Sequence, residues 1–405
     1  MDRPLDGIKV IDCSTAGAGP SCTKLLTEYG ADTIWVEPVY GASTRSVFKY
    51  DFYCSGKRSL ALDLKTNEGK KILDDLLVTA DVFVSNYRTK ALERLGLTYE
   101  RLSTLNPRLI YAALTAYGDA GPDADKPGYD PVVFWARGGM LRDFAEKGQM
   151  LVPPVAAGDI ISGQALAGGI CAALFQRSRT GLGSKVFTSL LAQAAYFNHD
   201  AIIESQYGET YPKSRMAPRR ALLNTYRCAD EKWIVITITD RFDHYFWPLL
   251  KAVGREDLVG DPRWTCIQDT MYERAPELVA ILDAAFAKLT QEEAISRLEE
   301  LDIPAGRVSS TEEMLTDDQA WVNHFLFSMP TTDGKDLTVP ANPVKFGDST
   351  SGTTGYGPGP RIGEHSVEIL REYGTSEEDI RALIENGVII DGNRPQICAQ
   401  EKRRV

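Results

Sequence analysis

The residues best suited to chemistry lie in the run Ala156-Ala157-Gly158-Asp159-Ile160-Ile161-Ser162-Gly163. It sets a carboxylate among apolar and very small residues, at the start of a long small-residue helix. Asp is a leading helix N-cap, which is one reading of Asp159. Low solvation and open space also let a carboxylate act as a nucleophile, which is the other. The pattern alone leaves both open. A second feature is the turn Ser14-Thr15-Ala16-Gly17-Ala18-Gly19-Pro20 after an apolar strand. Such a turn lets a ligand approach the backbone closely at a helix N-terminus. It is not a dinucleotide fingerprint, because Cys22 stands where that motif needs its third glycine. No phosphate-loop pattern G-x-x-x-x-G-K-[ST] is present either. The seven cysteines are scattered without a C-x-x-C pair, and the four histidines share no ligand spacing, so neither a disulfide framework nor a metal site is expected.

Composition narrows the classes further. The 405 residues carry 45 Lys plus Arg against 56 Asp plus Glu, a net charge of −11. A nucleic-acid groove or an anionic membrane wants clustered surplus cation, so neither is expected as a partner. With 43% hydrophobic and 25% charged residues the chain is globular, and its length suits two to three domains. No uninterrupted apolar run approaches the ~20 residues of a bilayer crossing. The opening Met1–Asp6 is polar, so a cytoplasmic protein without a signal peptide is expected.

The elements that must hold these residues follow from periodicity. Ile8–Asp12, Asp32–Glu37, Ser59–Leu64, Asp81–Asn86 and Leu109–Leu114 predict strands separated by helices at Cys22–Tyr29 and after Lys65. In the latter, Ile72, Leu73, Leu76 and Leu77 share a face. That alternation predicts an α/β fold with a parallel, doubly wound, Rossmann-like sheet. Ile161–Arg177 predicts a helix built for close approach to another backbone. A hairpin over 225–236, helices at 242–253, 275–289 and 291–301, and a strand near 306–309 predict a smaller α+β domain over 215–330. The large domain is expected over 1–210, with 335–405 returning to complete it. The Gly/Ser/Thr/Pro-rich run Asp348–Pro360 predicts a long exposed connection.

The chain resembles the family III CoA-transferases. The segments that carry the likeness are Leu5–Val10, Ala18-Gly19-Pro20, Tyr29–Glu37, Lys57–Lys65, Asn86-Tyr87-Arg88, Ala91–Gly96, Gly158-Asp159 with Ser162-Gly163, and Ile362–Leu370. They span nearly the whole chain in the family's order. Formyl-CoA transferase and carnitine CoA-transferase are familiar members. The resemblance implies that Asp159 attacks an acyl-CoA thioester, and that exchange passes through an aspartyl anhydride and an aspartyl-CoA thioester. Carboxylate and thiolate are comparable leaving groups, so the exchange is near thermoneutral. It also implies coenzyme A thioesters and small carboxylic acids as substrates, no prosthetic group, and an obligate homodimer of two interlinked, ring-shaped chains. Backbone N–H groups near Gly138 and Gly139 are a candidate oxyanion site.

By the same resemblance Ala16, Gly17 and Ala18 face the cofactor, Leu62, Asp63, Leu64 and Lys65 lie near its adenosine end, and Asn86, Tyr87 and Arg88 follow the next strand. Arg94 matches a phosphate-contacting arginine, and Tyr129 a tyrosine close to the catalytic aspartate. Phosphates need cations, which suits Lys65, Arg88 and Arg94; surface charge is the plain alternative for Lys65 and Arg88. Gly17 and Pro38 depart from the glutamine and arginine of formyl-CoA transferase. Gly128–Gly139 and Asp317–Asn323 resemble the phenyllactate and 2-hydroxyisocaproate CoA-transferases, which points to an apolar or aromatic 2-hydroxy acid. Val132, Val133, Phe134, Trp135 and Met140 are then expected to line its pocket, and Arg137 either pairs a substrate carboxylate or forms a structural ion pair. The alternatives are an α-methylacyl-CoA racemase of the same fold, which would want a histidine where Tyr129 stands, and a non-catalytic CoA-binding protein.

Overall fold

A computed structural model describes residues 3–46, 50–154, 156–347 and 357–393. Most of the Gly/Ser/Thr/Pro-rich run, 348–356, lies outside the described residues, as does Cys398. The chain divides into two compact units. The larger comprises the described residues of 1–138, 153–199 and 318–405; the smaller is Gly139–Val152 with Asp200–Asp317.

The larger unit is built on a six-stranded sheet in the order β3-β2-β1-β4-β5-β6. Its strands are β1 Lys9–Cys13, β2 Asp32–Glu37, β3 Arg58–Ala61, β4 Val82–Ser85, β5 Ile110–Thr115 and β6 Lys185–Ser189. Every pairing is parallel. Strands covered on both faces must be apolar throughout, and Val10, Ile11, Val82, Phe83, Val84 and Ile110 are all fully buried. The chain runs outward from β1 in one direction to β3, then restarts beside it at β4. Loops leaving the C-terminal ends of β1 and β4 therefore diverge, and the crevice between them is where ligands enter such sheets.

Helices cover the sheet as the patterning predicts. Asn67–Thr79 buries Leu73, Leu76 and Leu77, and its N-cap Thr66 accepts from the Gly69 N–H at 3.0 Å. Helix α1, Ala18–Glu28, is buried along its whole length. The long helix Ala157–Thr180 crosses it at Gly163, where a Cβ would lie 2.7 Å from the Ala18 carbonyl and 2.9 Å from the Cys22 nitrogen. Its small residues thus let two backbones touch. Among the described residues this is the one helix long and apolar enough to span a membrane by composition, and it packs against α1, β5 and β6. The chain's last part returns to this unit: Val388 accepts from the Asp63 N–H at 2.9 Å, and Ile369, Leu370, Ile380 and Ile389 join its core.

The smaller unit pairs β7 Leu223–Arg227, β8 Trp233–Thr237 and β9 Ala305–Arg307 in an antiparallel sheet. Helices Phe242–Ala252, Ala275–Phe286 and Gln291–Glu299 enclose Tyr226, Phe246, Trp264 and Phe286. Near its surface, hydrogen bonding from Tyr211 at 2.7 Å and the Arg219 ion pair hold the Glu204 carboxyl below the ordinary range. Lys213 does the same for Glu209. Both groups release protons more readily folded than unfolded, so their stabilisation is present above the ordinary pKa of 4.5 and lost as pH falls through the lower folded values. Thermal melts taken between pH 7 and about pH 3 are expected to show the smaller unit losing stability in the acid range. A midpoint that stays flat would contradict this.

Candidate active site

The crevice at the switch between β1 and β4 is a cleft of about 940 Å³. Its floor is supplied by the two diverging loops, Thr15, Ala16 and Ala18 from one and Asn86, Tyr87 and Arg88 from the other. The loops are clamped together: the Asn86 side chain accepts from the Thr15 N–H at 2.9 Å and donates to the Thr15 carbonyl at 2.6 Å. Asp159, Tyr129, Leu190, Arg94 and the segment 124–128 complete the walls. The cleft therefore gathers Ala16, Ala18, Asn86, Tyr87, Arg88, Arg94, Tyr129 and Asp159.

Other expected residues lie elsewhere. Gly17 is not on the cleft wall; it lies beneath Asp159, and a Cβ there would sit 2.2 Å from the Asp159 Oδ2. Leu62 is buried in the core, and Asp63 lies just beyond β3, accepting from the Lys65 N–H at 2.9 Å. Lys65 itself is exposed, on neither cavity. Leu64 lines a smaller adjoining cavity of about 260 Å³, which shares Glu93 and Arg94 with the main cleft.

Asp159 is the third residue of its helix rather than the cap, so the N-cap reading does not hold. Ala156 occupies that position at φ 70°, and the Gly158 N–H is taken by the Asp130 Oδ1 at 3.2 Å. Asp130 is 2% exposed and arrives from the segment before Pro131–Arg137, a single wide turn of π-helix. That turn drives Val133, Phe134 and Trp135 inward, which overturns their expected place on a substrate pocket. Phe134 packs where a Gly158 Cβ would be, at 2.3 Å from its Cγ, so this apolar stretch seats the start of the long helix instead. Val132 is exposed and Met140 is buried; neither lines the cleft. The Gly138 N–H donates to the Val133 carbonyl at 3.0 Å and so is not a free oxyanion donor. Arg137 pairs with Asp123 at 3.5 Å, away from the cleft wall, as a structural ion pair.

The cleft's charge suits an anionic ligand with a phosphate tail. Arg88, Lys90, Arg94 and Lys126 line it against Glu93, Asp125 and Asp159. Lys90 is held by Asp125 at 2.9 Å and Lys126 by Asp123 at 2.6 Å, whereas neither Arg88 nor Arg94 has an ion-pair partner among the described residues.

Two features escape sequence reasoning. Tyr53 is buried close to Asp159; burial first, then the negative charges of Asp159 and Asp130, push its hydroxyl up to about 12. It shares a cluster with Trp35, Tyr50 and Cys54, on which Ile160 packs. Beneath the loop, the Lys57 ammonium, fully buried, donates to Asp12 at 3.0 Å, to Thr23 at 2.6 Å and to the Pro20 carbonyl at 3.2 Å. Asp12 in turn accepts from the Ser14 N–H at 2.9 Å.

The parallel doubly wound sheet carries an aspartate on the cleft wall at its switch point, and residues 5–366 match CoA-transferase family III. The chain belongs to that family and is a family III CoA-transferase, acting on CoA thioesters. It is 35% identical to the (R)-2-hydroxy-4-methylpentanoate CoA-transferase of Clostridioides difficile over 95% of this chain and 99% of that one. Cinnamoyl-CoA:phenyllactate CoA-transferase of Clostridium sporogenes is 34% identical over 93% and 95%. Among solved structures, the Rv3272 protein of Mycobacterium tuberculosis superposes with a TM-score of 0.80 at 29% identity, covering 90% of this chain and 98% of that one.

Proposed function

We propose that this enzyme moves CoA from an acyl-CoA to an apolar or aromatic 2-hydroxy acid, with Asp159 as nucleophile. The observation that carries the proposal is the Asp159 carboxylate on the cleft wall, beside cations able to hold CoA phosphates. The carboxylate attacks the thioester carbon, the C–S bond breaks, and CoA leaves as thiolate from an aspartyl anhydride. The thiolate attacks the aspartyl carbonyl of the anhydride, releasing the donor acid and leaving an aspartyl-CoA thioester. The acceptor carboxylate displaces thiolate from that thioester, and thiolate then attacks the acceptor's acyl carbon. The new acyl-CoA departs and the Asp159 carboxylate is restored.

Ala16, Ala18, Tyr87, Arg88 and Arg94 are the proposed CoA contacts, and Tyr129 the proposed neighbour of the reacting acyl group. The substrate class rests on the names of the relatives above, since none of the apolar residues expected around it lines the cleft and all of them but Val132 are buried. One donor acyl-CoA is offered in parallel (R)-2-hydroxy-4-methylpentanoate, phenyllactate, oxalate and carnitine, and new thioesters are read by mass. Faster transfer to oxalate or carnitine than to both hydroxy acids overturns the substrate class. No second thioester, with exchange of the α-proton instead, would mark a racemase.

Arg94→Ala is expected to raise the Kd for CoA by about ten- to a hundredfold, as loss of a charge-assisted bond to phosphate would. Calorimetric titration with CoA decides it, and an unchanged Kd returns Arg94 to ordinary surface charge. We also propose a homodimer. Phe175, Leu182 and Tyr196 of the larger unit are 67%, 61% and 80% exposed, large apolar side chains that a second copy would cover. Light scattering behind size exclusion tests this, and a single-chain mass overturns it.

A further inference from the structure

We infer that Gly17 is a positioning residue for the Asp159 carboxylate and not a cofactor contact, an inference that rests on the nucleophile reading above. The first observation is what its missing side chain makes room for. A Cβ on Gly17 would lie 2.2 Å from the Asp159 Oδ2, 2.8 Å from its Cγ and 3.0 Å from its Cβ. Real Cβ atoms do not approach that closely, so the carboxylate fills the space a side chain at 17 would take. The second observation concerns the backbone. Gly17 has φ −112°, which any residue adopts, so this position needs glycine for space and not for its turn. The left-handed residue of the loop is its neighbour Ala16, at φ 61°.

A third observation separates Gly17 from the ligand. Ala16 and Ala18 line the cleft on either side of it, while Gly17 does not. It caps the start of α1, so the Asp159 carboxylate rests against the end of that helix, where backbone N–H groups and the helix dipole favour an anion. The support is rigid from both sides. The loop is clamped to Asn86 and anchored by the Lys57–Asp12–Thr23 cluster, and the long helix is fixed against α1 at Gly163. A side chain at 17 would therefore displace the carboxylate rather than the backbone. The nucleophile would lose its orientation toward the cleft while the cofactor's contacts stayed in place.

The test is a cycle of Gly17→Ala, Asp159→Ala and the double variant in the full chain, read by thermal unfolding, by calorimetric Kd for CoA, and by kcat at saturating substrates. Gly17→Ala is expected to lower kcat by about a hundredfold, the loss that misplacing a reacting group by an ångström brings, with the Kd for CoA near the wild-type value. Its unfolding midpoint is expected to fall, and most of that fall to disappear when Asp159 is also alanine, because the 2.2 and 2.8 Å contacts are then gone and only the 3.0 Å Cβ contact is left. A weakened Kd for CoA with a normal saturated rate would make Gly17 a cofactor contact and overturn the inference. So would an equal fall in midpoint with and without the Asp159 side chain. If Gly17→Ala fails to fold, a folded double variant supports the inference and an unfolded one overturns it. The midpoint cycle reports on the contact even if Asp159→Ala retains transfer, an outcome that would sink the nucleophile reading alone.

Discussion

Asp159→Ala is expected to abolish CoA transfer while leaving CoA binding and folding close to wild type. The mechanism needs a carboxylate that can be acylated, and no neighbour can replace it. Of the other acids on the cleft wall, Asp125 is held by Lys90, and Glu93 lies on the helix Thr89–Leu95, on the stretch of wall shared with the adjoining cavity. Removing a covalent nucleophile takes away the step itself, so the loss in kcat is expected to exceed about a thousandfold. Folding is spared for a local reason. The long helix is capped through Gly158 and Asp130 and packed through Gly163, neither of which involves the Asp159 side chain. Asp159→Asn separates chemistry from packing, since the amide has the same shape without the nucleophilic oxygen pair. Both variants are assayed for a second thioester by mass and for CoA by titration. Transfer by either within about tenfold of wild type would end the proposed mechanism.

How far the sequence revealed this site depends on the range of the interactions that build it. The strands were legible because each is a short apolar run bounded by polar residues, and β1, β2 and β4 fall within a residue or two of expectation. The face of Leu73, Leu76 and Leu77 and the close-packing role of the 161–177 helix were legible for the same reason, as local periodicity and residue size. The capping of Asp159's helix was not. Ala156 holds the N-cap position and the Gly158 N–H is taken by Asp130, 28 positions earlier in the chain, which leaves Asp159 inside the first turn. The run Val133-Phe134-Trp135 looked like a pocket wall by composition; the wide turn of Pro131–Arg137 decides which way it faces, and no periodicity signals such a turn. Gly17 illustrates the same limit from the other side. Its type was visible, but the carboxylate occupying its missing side chain is 142 positions further along the chain, and only the fold joins them.

Lys57→Ala is expected to be among the most destabilising single substitutions in the larger unit, by about 3–5 kcal/mol. The lysine and Asp12 side chains are both fully shielded from solvent, with their charged atoms 3.0 Å apart. Removing the ammonium leaves the Asp12 carboxylate buried without its counter-charge, and strips Thr23 and the Pro20 carbonyl of a donor. The cost lies in the stranded partner, not in the pair's own attraction. Replacing both residues with apolar ones of similar size, as in Lys57→Met with Asp12→Leu, is therefore expected to recover much of the loss. Recovery of stability should not restore transfer. Asp12 also accepts from the Ser14 N–H, and Thr23 and Pro20 belong to α1, so the apolar pair would leave the loop that carries Ala16 and Gly17 without its polar anchor. Denaturant titration of the larger unit's transition gives the stabilities, and turnover is measured on each folded variant. A loss below about 1 kcal/mol for Lys57→Ala would show that the ammonium is not what holds the cluster together, and full activity in the apolar pair would show that the loop keeps its shape without it.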